Sequence, residues 1–105
     1  MVNWTEVAAE ADLFEGAGIA VMVAGNEIAL FSVQGEMFAL SNICSHGSGR
    51  LCEGYFEGWE VECPLHQGRF DVRTGQATGA PAIESVKTWP VKLESGRIWL
   101  QFEPS

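Results

Sequence analysis

The chain has 105 residues, 47% of them hydrophobic, with fourteen acids against six bases for a formal net charge of -8. That length and apolar content provide for one domain around a modest core, and the charge argues against nucleic acid, whose phosphates demand Lys and Arg. Residues 1–6 lack a basic stretch followed by an apolar one, and no run approaches the length that spans a bilayer, so neither a signal peptide nor a membrane anchor is expected.

Apolar residues recur with the period of strands, not of helices. Trp4-Thr5-Glu6-Val7 predicts a first strand, and residues 10–18, rich in acids and glycine, predict a loop. Residues 19–23 and 27–33 predict a hairpin turning at Gly25-Asn26, a dipeptide that accepts the positive backbone angles of a tight turn. Gln34-Gly35 then turns the chain into residues 37–41. Trp59-Glu60-Val61-Glu62 alternates apolar and acidic side chains, and residues 69–72 run into a turn at Arg73-Thr74-Gly75. Residues 86–93 and 98–102, joined through Ser95-Gly96, predict a closing hairpin whose first strand is marked by Pro90 as an edge or a bulge. No repeat, linker or amphipathic helix intervenes, so the chain reads as all-β.

Set within these strands are two short stretches that offer metal donors. Cys44-Ser45-His46 is followed, after sixteen residues, by Cys63-Pro64-Leu65-His66, and both histidines of the protein lie in these stretches. A thiolate and an imidazole this close together place two donors on one centre at little extra cost in loop ordering. A cluster held by four thiolates is excluded within one chain that has three cysteines. Two readings remain, a structural zinc bound by two Cys and two His, or a 2Fe-2S centre with Cys on one iron and His on the other. Zinc sites usually pair Cys with Cys and His with His; here each stretch is mixed, which suits a binuclear centre.

Cys44-Ser45-His46-Gly47 with Cys63-Pro64-Leu65-His66-Gln67-Gly68 resembles the ligand motif of Rieske iron-sulfur proteins. Including Arg69-Phe70-Asp71, Thr74-Gly75 and Ala80-Pro81, the stretch is similar to the small Rieske ferredoxins of bacterial aromatic-ring dioxygenase systems. The resemblance implies an antiparallel β-sandwich with a cluster-binding subdomain at about residues 43–82, carrying one 2Fe-2S cluster. It implies Cys44 and Cys63 on the buried iron, His46 and His66 on the iron nearer solvent, and Pro81 in a third loop over the cluster. It further implies a one-electron carrier, not an enzyme, that takes electrons from a flavin-containing reductase and passes them to a terminal oxygenase. Gly47, Ser48, Leu65, Gln67 and Pro81 would form an uncharged docking rim, suited to a cytoplasmic monomer with transient complexes. The alternatives are a small subunit of another oxidoreductase, such as a nitrite reductase, and a zinc-stabilised module.

Both histidines being committed to the donor pairs, none is left for a facial triad of two His and one carboxylate, so oxygen activation belongs to another polypeptide. An odd number of cysteines fits a reducing compartment, and the third, Cys52, reads as a structural thiol. Trp4, Trp89 and Trp99 read as packing aromatics, Trp59 stands nearer the donor stretches and is left open between packing and a role there, and Glu57, Glu60 and Glu62 read as a solvated strand face. The respiratory branch of the resembled family has further cysteines where this chain has Gly49 and Leu65, so the disulfide between its loops cannot form. Its Ser and Tyr hydrogen-bond donors are matched by Gly68 and Phe70, neither with a hydroxyl to stabilise the reduced state. A midpoint potential near the low end of the Rieske range, about -150 mV, is expected; redox titration giving a value well above zero would overturn the argument.

Overall fold

The computed structural model describes residues 4–43, 49–64, 68–79 and 84–101. In chain order these form β1 (Trp4–Ala9), a 3-10 turn at Glu10–Asp12, β2 (Gly18–Val23), β3 (Asn26–Val33) and β4 (Glu36–Ser41). A second 3-10 turn at Leu51–Glu53 precedes β5 (Tyr55–Glu57), β6 (Glu60–Glu62), β7 (Arg69–Asp71) and β8 (Ala77–Gly79). The chain closes with β9 (Thr88–Trp89), β10 (Val91–Glu94) and β11 (Arg97–Gln101). Three antiparallel sheets result, ordered β1-β11-β10, β2-β3-β4-β9 and β5-β6-β7-β8. No helix among the described residues is long and apolar enough to cross a membrane.

The all-β antiparallel fold read from the alternation is the one that forms, but the sandwich has a third layer. β3 reads Ile28-Ala29-Leu30-Phe31 without a polar interruption because both of its faces are covered. Ile28 and Leu30 join Leu13, Val23, Ala39, Trp89, Ile98 and Leu100 in one core, against the β1-β11-β10 sheet. Ala29, Phe31 and Val33 turn the other way and join Leu40, Leu51, Val61, Cys63, Phe70, Val72 and Val86 in a second core, beneath the β5–β8 sheet. Phe31 and Phe56 cross this second interface edge to face, with ring centroids 5.0 Å apart. Phe31 and Phe70 are fully buried, each contributing on the order of 2 kcal/mol through removal of apolar area from water.

Three hairpins turn on two residues that both have positive φ: Ala24-Gly25, Gln34-Gly35 and Ser95-Gly96. The first lies one residue before the expected Gly25-Asn26. Asn26 pairs with Val23 as the first residue of β3, and its Nδ2 donates to the Val23 carbonyl at 3.3 Å. The register decides this, since a slip by one would turn Ile28 and Leu30 out of their core. The Gln34-Gly35 turn is held from outside by Glu15, whose carboxylate accepts the backbone N–H groups of Gln34 and Gly35 at 2.6 and 3.1 Å. Pro90 falls between β9, on the edge of the β4 sheet, and β10, on the edge of the β11 sheet. Lacking an N–H, it stands where pairing breaks and one strand passes between layers.

The turn after β7 is shaped by Asp71. Its carboxylate accepts from the Arg73 backbone N–H at 2.8 Å and from the guanidinium at 2.9 and 3.1 Å, and its carbonyl accepts from the Gly75 N–H at 2.7 Å. The Arg73 guanidinium lies 4.9 Å over the Trp59 ring, which itself meets Phe38 edge to face. Gly75 has φ +77, and a Cβ there would strike the Val86 carbonyl oxygen. Gly75→Ala is therefore expected to destabilise the fold by about 2 kcal/mol or more, measured by chemical denaturation. The side-chain hydrogen bond from Arg73 holds the Asp71 carboxyl below its ordinary range. The pair thus stabilises the fold above the unfolded carboxylate pKa of about 4 and loses that contribution as pH falls through the lowered value. Asp71→Asn should lower stability at neutral pH and flatten its acid dependence; an unchanged acid limb in pH-dependent denaturation would sink this assignment.

Candidate metal centre

The second donor stretch follows its strand at once, and the first follows after two residues. The second leaves β6 at Cys63 and returns to β7 through Gly68, where the register of Glu62 with Arg69, Val61 with Phe70 and Glu60 with Asp71 fixes the two sides of the hairpin. The Cys63 N–H donates to the Gly68 carbonyl at 2.7 Å, so pairing continues past the named strands and closes on residues 64–67. Cys63 is fully buried in the second core. The outer face of the same hairpin is polar, Arg69 meeting Glu62 at 3.2 Å and Glu60 at 3.8 Å.

The first stretch leaves β4 through Asn42 and Ile43. Ile43 forms an antiparallel bridge with Arg50, and the Leu51 N–H donates to the Asn42 carbonyl at 2.8 Å, so the two ends around residues 44–49 lie side by side. Asn42 is the buried polar side chain among the described residues. Its Nδ2 donates to Glu27 Oε2 at 2.6 Å, its Oδ1 accepts the Cys52 N–H at 2.7 Å, and its own N–H donates to the Glu27 carbonyl at 3.0 Å. Arg50 Nε donates to the same Glu27 carboxylate oxygen at 2.8 Å. These hydrogen bonds, first from Asn42 and then from Arg50, hold the Glu27 carboxyl below its ordinary pKa.

Of the four expected ligands, Cys63 is described and Cys44, His46 and His66 lie outside the described residues, as do Gly47, Ser48, Leu65, Gln67 and Pro81. Among the described residues no group of three or more His, Cys, Asp or Glu converges. Gly79 and Glu84 bound the stretch that contains Pro81, and the chain before and after it is tied together by the Val86 N–H donating to the Gly75 carbonyl at 2.8 Å. Gly68 and Phe70, the positions without a hydroxyl, are both buried. Cys52 is partly buried against the second core, and Trp4 and Trp99 flank Lys92, whose Nζ lies 4.6 and 6.0 Å from their rings. Those features agree with packing roles. Glu27, Asn42 and Arg50 were not singled out by the sequence; the one signal was a polar Asn two positions before the first donor, in a place where the strand pattern simply stops.

A binuclear iron-sulfur group fits what is described. Cys63 lies in an apolar core, where a thiolate is unfavourable unless a metal takes the place of its proton, and it stands at the mouth of a hairpin whose next residues include an imidazole. Zinc would take the same Cys, so the donor set decides less than the whole chain does.

Comparison with known proteins resolves the choice. Residues 3–90 match the family model of the Rieske [2Fe-2S] domain. The ferredoxin component of the naphthalene 1,2-dioxygenase system of Pseudomonas putida is 52% identical over 99 residues, covering 94% of this chain and 95% of that protein. The ferredoxin of carbazole 1,9a-dioxygenase from Nocardioides aromaticivorans IC177 superposes with a TM-score of 0.90 at 35% identity, over 96% of this chain and 99% of that one. A complex of reduced oxygenase and oxidised ferredoxin in carbazole 1,9a-dioxygenase contains a chain similar at TM-score 0.87 and 29% identity, over 93% of this chain and 92% of that one. With a matching sequence family, a matching fold and a donor pattern that calls for one Rieske-type 2Fe-2S cluster, the chain belongs to the Rieske 2Fe-2S domain family, among its ferredoxins.

Proposed function

We propose that the chain is a one-electron carrier that collects electrons from a flavin-containing reductase and delivers them to a terminal Rieske oxygenase acting on aromatic rings. The observation that carries this is similarity over almost the whole chain to dioxygenase-system ferredoxin components, one of the similar structures having been solved with its oxygenase. In this reading Cys44 and Cys63 hold the inner iron and His46 and His66 the outer one, within a cluster-binding subdomain of about residues 43–82. When bound, the cluster supplies reversible storage of a single electron. The chain supplies the rest. The hairpin closure at Cys63 and Gly68 fixes one donor pair, and the apolar core around Cys63 keeps water from the buried side.

Substrate oxidation falls to the partner, because both histidines are taken and the carrier has none left for an oxygen-activating iron. In the same reading Gly47, Ser48, Leu65, Gln67 and Pro81, which lie outside the described residues, are assigned to a small uncharged rim, which favours brief docking in a molecule that must leave one partner for the next. The reducing cytoplasm is the compartment that suits its unpaired cysteine count.

The test is reconstitution with a purified flavin reductase, a naphthalene-type terminal oxygenase and NADH. Product should form only when the chain is present, and His66→Ala should abolish both the reduced-state EPR signal and delivery. Gln67→Trp should slow delivery about tenfold with an unchanged EPR spectrum. Product formation at full rate without the chain would remove the carrier role, and an unaffected Gln67→Trp rate would remove that rim from the interface.

A further inference from the structure

Asn42 is the buried polar side chain of the described residues, and it lies where a core of this kind ordinarily has an apolar one. Burying an amide costs free energy unless its donors and acceptors find partners. Here both ends of the amide are used, Nδ2 on Glu27 and Oδ1 on the Cys52 N–H. The backbone of Asn42 adds two more hydrogen bonds, to the Glu27 carbonyl and from the Leu51 N–H. Arg50 closes the circuit on the same Glu27 carboxylate and is itself the bridge partner of Ile43. One side chain therefore ties three separate pieces of chain: the start of β3, the exit of β4, and the return of the chain at Arg50 to Cys52.

The exit and the return are the two ends of residues 44–49, and the start of β3 braces both. The second donor stretch is positioned by strand register, with backbone pairing carried up to Cys63 and Gly68. Among the described residues the first has an isolated bridge between Ile43 and Arg50, which on its own fixes little. We propose that Asn42, with Glu27 and Arg50, is the positioning device for the donor pair Cys44 and His46, substituting a buried side-chain network for the missing strand pairing. The proposal rests on the reading of Cys44 and His46 as ligands. Its physical content is pre-organisation: with the stretch anchored at both ends, its two donors meet the metal centre in one arrangement and retain it through oxidation and reduction.

The network also provides its own repair. Asn42→Asp places a carboxylate against the Glu27 carboxylate where a hydrogen bond stood, while the bond from the Cys52 N–H survives. Adding Glu27→Gln restores the lost contact with donor and acceptor exchanged, the introduced amide donating through its nitrogen to the introduced carboxylate. Because one Glu27 oxygen had accepted from both Asn42 and Arg50, Arg50 must shift to the remaining amide oxygen, and the repair is partial. Iron release to a chelator from the oxidised holoprotein should be about tenfold faster in N42D than in the wild type, corresponding to about 1.4 kcal/mol. The EPR lines of the reduced state should broaden, since the donors no longer share one arrangement. The double variant N42D/E27Q should return both readouts part of the way to the wild type, the contact between positions 42 and 27 being restored and the Arg50 contact displaced. Asp71→Asn, in the turn after β7, serves as a control that lowers global stability away from this network and should leave the EPR line shape unchanged.

Release and line shape in N42D equal to the wild type would overturn the proposal, as would a double variant no better than N42D. If N42D does not accumulate as folded protein, Arg50→Gln on the exposed rim of the same network carries the test, with faster iron release expected and an unchanged rate overturning it. Cys44→Ser separates the two levels. Retention of two irons and the native spectrum in that variant would remove the ligand reading itself, whereas cluster loss in C44S beside an unaltered N42D would remove the positioning role alone.

Discussion

The covering of β3 on both faces is the constraint on which the rest of the structure depends. A strand in a two-layer sandwich buries alternate residues, but Ile28, Ala29, Leu30 and Phe31 are all fully or almost fully buried. Odd and even positions consequently serve different cores, one with the β1-β11-β10 sheet and one with the β5–β8 sheet. The sheet of β2, β3, β4 and β9 becomes a common wall. Because Cys63 belongs to the second core, the donor hairpin is packed against that wall and not suspended from a loop, and a small chain gains a rigid mount for an electron-transfer site.

Charge is arranged so that it leaves this interior alone. Among the described residues, ion pairs join Arg50 with Glu27, Arg69 with Glu60 and Glu62, Arg73 with Asp71, Lys92 with Glu94 and Arg97 with Glu6. Lys87 lies 5.4 Å over the Trp89 ring. Exposed pairs of this kind contribute little stability, since water and salt screen them and ordering two long side chains costs entropy. Their consequence is for recognition: with the cations matched locally, no basic stripe is available to follow a phosphate backbone. The excess of acids keeps the molecule soluble and repels like-charged surfaces.

The sequence disclosed the fold wherever local chemistry determined it. Gln34-Gly35 and Ser95-Gly96 were legible because positive backbone angles demand such residues, and Pro90 because a missing N–H cannot pair. Cys44, His46, Cys63 and His66 read as a donor pattern from spacing and residue type alone, and of the four Cys63 is the one among the described residues. β5 and β8 were not. Tyr55-Phe56-Glu57 is short and set between Gly54 and Gly58, and Ala77-Thr78-Gly79 has little intrinsic preference for a strand. Both extend only because the β6-β7 hairpin offers edges to pair with. Asn42 was hidden for the same reason from the opposite side. A polar residue after an apolar strand reads as the start of a loop, and its burial follows from Glu27, Arg50 and Cys52 arriving from elsewhere in the chain.

Under the proposed ligand reading, one site is built from unlike supports. Near Cys63 the backbone does the positioning, and its hydrogen bonds are insensitive to side-chain identity so long as the Glu62–Arg69 register is kept. Before Cys44, in the proposed arrangement, orientation passes to side chains whose donors and acceptors must match individually. A backbone support tolerates sequence change and resists deformation. A side-chain support is specific and can be altered one group at a time. The asymmetry follows from topology: β6 and β7 are consecutive and pair through their own turn, whereas β4 has its neighbours β3 and β9 on either side and no third edge on which the returning chain at Arg50 could be laid. A buried amide at Asn42 completes the hydrogen-bond pattern there, which is why a polar side chain is found in an otherwise apolar wall.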